Sequence, residues 1–207
     1  PKPRFRPSFF VVCRGPAVTL PVMAQTPDPQ TVLDFWFPDD GHWTSLETHA
    51  AFWEYRMRGG VDAAILRDFG PITEAAARGE LDHWAGTPRG RLALLIALDQ
   101  FPRSYWRDTP AAYAQDIKAN LLVLEALENG HYEALTEAWE RQFFIIALTH
   151  CEGPDHLARM DLALTLSEAQ REIARPELLP MADRPVLQAK RVREIIRRFG
   201  RHPHRNP

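Results

Sequence analysis

The chain has 207 residues, 45% hydrophobic and 25% charged, with a formal net charge of -2, proportions that suit one globular domain with a substantial core. That balance gives no global reason to expect nucleic acid or an anionic membrane as partner, and no stretch approaches the roughly 20 apolar residues of a membrane-spanning helix. Two cysteines, Cys13 and Cys151, without C-x-x-C spacing, offer no disulfide framework, which points to a reducing, cytoplasmic setting.

Residues 1–27 combine basic and apolar positions, but Arg14, Gly15 and Pro16 cut the apolar run below signal-peptide length; an ill-ordered extension is expected there, ahead of a single domain over 28–207. Asp28-Pro29 is an N-cap followed by proline at the first helical position, and TVLDFWF runs from it until Pro38. Trp36 and Phe37 are expected in the core. Residues 45–57 and 61–78 read as two helical stretches separated by Gly59-Gly60. The second carries Ile65, Phe69, Ile72 and Ala76 on one face, with Gly70-Pro71 as a kink and Gly79 as a C-cap. Pro88 starts the helix containing LALLIALDQF (92–101). Thr109-Pro110 starts another, in which Ile117, Leu121, Leu124 and Leu127 recur at helical spacing until Gly130. Residues 132–152, 155–174 and 185–199 complete the series, the last with Val192, Ile195, Ile196 and Phe199 as its apolar stripe. No segment alternates with a period of two, so the fold class is all-α, about eight helices in antiparallel hairpins.

Asp99 sits in the apolar run LALLIALDQF. An ionised carboxylate there costs several kcal/mol unless a cation or hydrogen-bond donors meet it. Arg103 lies four residues on, past Pro102, which favours a break before the arginine. One reading is an ion pair that fixes the helix end; the other is that Arg103 and Arg107 line a pocket for an anionic group, since guanidinium matches carboxylate and phosphate. His150 and Glu152 follow the apolar stretch FFIIAL. Side chains two apart on a helix diverge by about 200°, so this pair is a poor metal signal and no metal is expected. Cys151 reads as a small hydrophobe.

The C-terminal stretch is basic: from 190 to 205 there are seven Lys and Arg residues against Glu194. Arg201, His202, His204 and Arg205 follow the expected helix end at Gly200. Such a loop suits the negative end of that helix, the acidic remainder of the chain or a phosphate-bearing ligand. The negative total charge and the absence of helix-turn-helix, zinc-finger or RNA-recognition signatures argue against nucleic acid.

LDFWF (33–37), GRLALLIALDQFPRSYWRDTPAAYAQD (90–116), HCE (150–152) and IIRRFGRHPHRN (195–206) together resemble a bacterial family known as domain of unknown function 924. The resemblance runs from about residue 28 to the C-terminus. It implies an all-helical fold similar to tetratricopeptide-like superhelices and brings no activity, substrate or cofactor. Ser104, Cys151 and His202 depart from the family pattern, which favours Asn, Ser and Phe there, and Val192 stands at or near a position where the family places histidine. Family members continue past the His-Arg-Asn motif, so a truncation at Pro207 is expected.

Two functions of different class fit this reading. One is a helical-hairpin binding module for a peptide or a small anionic ligand, with Asp99, Arg103, Arg107, His150, Glu152, Arg201, His204 and Arg205 as candidate contacts. The other is a small-molecule enzyme with a polar site around Asp99, Arg103, His150, Glu152, His204 and Arg205. An enzyme needs those groups converged in a shielded cleft, whereas a binding module needs an open groove.

Overall fold

Side-chain caps and prolines set where the helices begin. Asp28 accepts a hydrogen bond from the Gln30 amide, Ser45 from Thr48 and Thr87 from Gly90, each at 3.1 Å, and Pro29 and Pro88 occupy first-turn positions that need no donor. The structure, a computed structural model, describes residues 27–203. The expected extension before residue 27, and the candidate residues His204 and Arg205, lie outside the described residues.

Among the described residues there are eight helices and no strand. They are α1 (Pro29–Trp36), α2 (Leu46–Met57), α3 (62–77), α4 (88–105), α5 (Asp116–Glu128), α6 (Ala138–His150), α7 (His156–Ile173) and α8 (Leu179–Phe199). Short 3-10 turns at His42–Thr44, Asp82–Gly86, Pro110–Tyr113 and Pro176–Leu178 join some of them. No helix among these residues is long and apolar enough to cross a membrane.

Two helices pass through prolines by the same device. In α3 a π segment, Ile65–Phe69, precedes Gly70-Pro71, and in α4 another, Ile96–Gln100, precedes Phe101-Pro102. A proline ring inside an α-helix clashes with the carbonyl four residues back and supplies no N–H; a locally wider turn makes room for it. Pro102 therefore does not break the helix, contrary to the sequence expectation, and Arg103 remains on α4.

Helix α4 is the centre of the molecule. Every residue from 91 to 101 is buried, and α1, α3, α5 and α6 all pack against it. Beyond this, α5 packs on α6, α6 on α7, and α7 on α8 in sequence order, as short connections between successive helices favour. Trp36 is in the core, and Phe37 packs against its edge.

Several element-level expectations need correction: α5 starts at Asp116 rather than at Thr109-Pro110, where a 3-10 turn stands, and α6 at Ala138 rather than at 132. Helix α8 starts at Leu179 rather than 185, with Pro185 inside it. In α5 the buried face is Ala119, Leu122, Val123 and Ala126, whereas Ile117 and Leu121 are 65% and 53% exposed. Phe199 is likewise exposed, just before the left-handed Gly200 C-cap, while Ile196 is buried. A helical period identifies a stripe without saying which of two overlapping stripes meets the core, and alanines on α5 allow the closer approach.

Candidate functional site

Asp99 projects from the π segment of α4 and is 1% exposed. Two helices supply the groups that meet it. His150, in the last turn of α6, places Nδ1 2.9 and 3.1 Å from the two carboxylate oxygens. Arg103 on α4 lies 3.3 Å from Oδ1 and donates through the same Nη1 to the Asp99 carbonyl. Gln100 donates its amide N–H to Oδ2. Burial opposes ionisation of Asp99, but His150 and Arg103, assisted by the His150 and Gln100 hydrogen bonds, bring its pKa down to about 2.

Arg103 is shared. Its Nη2 donates to both oxygens of Asp116 at 2.9 and 3.1 Å, from the first turn of α5. Burial raises the Asp116 pKa, with Arg103 opposing and Asp99 adding to the rise. Asp116 was not visible as a candidate in the sequence because an acid in a helix first turn is ordinary there.

Glu152 does not join this cluster. It accepts the His202 backbone N–H at 2.9 Å and so docks the segment after α8 onto the end of α6. There the Thr149 carbonyl, one of the acceptors a helix C-terminus leaves unpaired, receives Nε2–H from both His202, at 3.0 Å, and His156, at 3.2 Å. Burial pushes the His156 pKa down to about 4, against the Thr149 hydrogen bond. Arg159 completes the arrangement by donating to the Cys151 carbonyl at 2.9 Å, and Cys151 itself is buried. Arg201 is exposed just past Gly200. No group of three His, Cys, Asp or Glu side chains among the described residues is placed to hold a metal ion.

A cleft of about 560 Å³ opens beside the Asp99 cluster, walled by α2, α4, α6 and α8. Gln100, Arg103 and His150 form part of its lining, with the buried Asp99 behind them. Arg107 also lines it, donating to Asp62, which Ser104 Oγ meets at 2.6 Å. Of the candidates named from sequence, the structure thus brings Asp99, Arg103, Arg107 and His150 to one place, and sends Glu152 and Arg201 elsewhere.

Several cleft residues carried no sequence signal. Arg56 on α2 stacks over the Phe52 ring at 4.4 Å and gives Nη2 to the Phe35 carbonyl at 2.9 Å, while its buried Nη1 has no hydrogen-bond partner. Burial lowers its pKa, with the Asp40 charge opposing. Trp36 Nε1 and Gln142 Oε1 are also buried without a partner, and both side chains line the same cleft. Arg175 pairs with Glu137 at 2.6 Å and lies 5.0 Å from the Trp139 ring, which stacks nearly parallel on Trp43.

Behind that aromatic wall two histidines are locked as neutral rings. Trp53 Nε1, which can only donate, meets His49 Nε2 at 3.1 Å, so the His49 proton sits on Nδ1 and is donated to His42 Nδ1 at 2.9 Å. Burial, then His42 and Arg175, lower the His49 pKa to about 4.

The family model that matches this chain, over residues 32–207, is described as bacterial protein of unknown function (DUF924). A solved structure of a protein of unknown function, ATU0120 from Agrobacterium tumefaciens, is similar at 32% identity and a TM-score of 0.63, over 86% of this chain and 87% of that one. No curated protein matches the chain.

Proposed function

The chain belongs to the DUF924 family of bacterial proteins, and on that footing we propose that its cleft binds a small anionic molecule. The observation that carries this is the charge of the walls: Arg56, Arg103, Arg107, Arg175 and Arg184 line the cleft, and among the described residues Asp62 is the one acid in that lining. Arginines brought together in a concave, partly apolar site are what recognition of carboxylate or phosphate requires. The size supports a small molecule over a peptide, since about 560 Å³ falls within the range of ligand pockets, about 300–1,000 Å³. The apolar aromatic lining adds contact area. The cytoplasmic setting suggested by cysteine usage belongs to the same reading, because small anionic metabolites are abundant there.

The Asp99 cluster supports the cleft by fixing Arg103 and His150 from behind. Its two acids sit behind the lining and hold Arg103 in place, so the positive charge of the cleft rests chiefly on Arg56 and Arg184, which form no ion pair among the described residues.

A thermal-unfolding screen of the full chain against phosphate, citrate and benzoate at low ionic strength tests this. Ligand at about a hundred times its Kd stabilises by about 2.7 kcal/mol, so the midpoint is expected to rise by several degrees. Arg184→Ser is expected to reduce the rise. If no anion moves the midpoint of either protein, the reading fails.

A further inference from the structure

We propose that the ligand is a carboxylate carried on an apolar body, its two oxygens seated on Trp36 and Arg56; this rests on the reading of the cleft as an anion site. Two neighbouring N–H donors at the α1–α2 end of the cleft have no acceptor. Trp36 is 3% exposed with Nε1 buried and unpartnered, and the same holds for Nη1 of Arg56. The guanidinium carbon lies 5.6 Å from the centroid of the Trp36 ring, so the two side chains are neighbours. Native folds rarely leave a buried N–H unpaired, and here two occur side by side on the wall of a cavity.

The number of donors selects the head group. Arg56 has given an N–H of Nη2 to the Phe35 carbonyl, which leaves Nη1, with its two N–H groups, as one donor nitrogen and the indole Nε1 as the other. Two donor nitrogens, one for each oxygen, match a carboxylate, whereas a phosphate would bring further oxygens and a second negative charge to this corner. The charge argument agrees, because no carboxylate among the described residues forms an ion pair with Arg56, the Asp40 charge acting on it without contact. A monoanion would supply a counter-charge in direct contact. The body of the ligand follows from the walls beyond: Met57, Trp139, Ile146, Leu178, Met181 and Pro185 all line the cleft. These surfaces accept a chain or a ring and give a bare carboxylate nothing further to hold.

The test is isothermal titration calorimetry of the full chain with decanoate, 2-naphthoate, acetate and inorganic phosphate. Decanoate or 2-naphthoate is expected to saturate one site, and acetate, the same head without the body, to bind at least about tenfold more weakly. Comparison of decanoate with 2-naphthoate separates a chain-like from a ring-like body. Trp36→Phe keeps the ring and deletes the N–H; it is expected to weaken binding about tenfold or more, the scale of a lost hydrogen bond to a charged group. Arg56→Met is expected to weaken it further, with circular dichroism reporting the fold of both variants. If Arg56→Met does not fold, Trp36→Phe decides. Phosphate binding without carboxylate binding overturns this inference and leaves the anion cleft standing. Absence of binding by all four overturns both. Carboxylate binding that Trp36→Phe leaves unchanged overturns the seat.

Discussion

An acid that is 1% exposed and still ionises at about pH 2 draws from its neighbours what water would otherwise supply. Asp99 does so through groups from α4 and α6, and the arginine it uses is tied in turn to Asp116 on α5. Removing the Asp99 charge takes the buried acceptor from His150 and Gln100 and leaves Arg103 with Asp116 alone. Asp99→Asn is therefore expected to cost about 3–5 kcal/mol, measured as a lower urea midpoint at unchanged m-value; a loss below about 1 kcal/mol would show that the cluster contributes little. The need for a cation at Asp99 was legible because an acid interrupts a long apolar run. Which residues meet it was only partly so. Arg103 is near in sequence and His150 ends an apolar helix, but Asp116 sits in a first turn where acids are commonplace. Glu152 shares the His-Cys-Glu triplet with His150, yet α6 ends between them and its side chain faces the segment after Gly200.

At the scale of elements, helix number, order and most boundaries follow from proline, glycine and caps, which act locally and so are readable in one dimension. Facing is not. The leucine and isoleucine positions of α5 at 117 and 121 are exposed because the alanines at 119 and 126 let α5 approach its neighbours more closely on the other side. Burial alone predicts the contrast. Leu98→Ala, in the centre of α4, is expected to cost about 2–5 kcal/mol, and Leu121→Ala to stay within about 0.5 kcal/mol. Equal losses in chemical denaturation would mean that the α5 face is wrongly assigned. The wide turns before Pro71 and Pro102 were also invisible in the sequence, which shows a proline but not whether the helix yields to it. In α4 that turn is what carries Asp99 and Gln100.

For the whole molecule, the balance of shifted groups sets the response to acid. His49 and His156 titrate near 4 when folded and near 6.5 when unfolded. The unfolded chain thus takes up protons first, and stability falls as pH drops from about 6.5 to about 4, by about 1.4 kcal/mol per pH unit for each histidine. Asp99 extends the loss below about 3.8, its ordinary value, toward 2. Asp116 and Glu140, both raised by burial, act in the opposite sense. Urea midpoints at pH 7.5, 6 and 5 are expected to decline, and His156→Asn is expected to flatten that decline. Identical slopes for the two proteins would remove His156 from the account. The cleft itself was the least legible feature, because its lining gathers residues from nearly every helix, and their meeting depends on how α2 and α8 lean over α4 and α6.

Arg56 carries a charge that no pH compatible with the fold can remove, and it keeps that charge in surroundings that exclude most water. Any guest settling against it meets a receptor of constant polarity. Whether the corner is filled in acid or neutral medium is then decided by the protonation of the visitor, and the host contributes a fixed field.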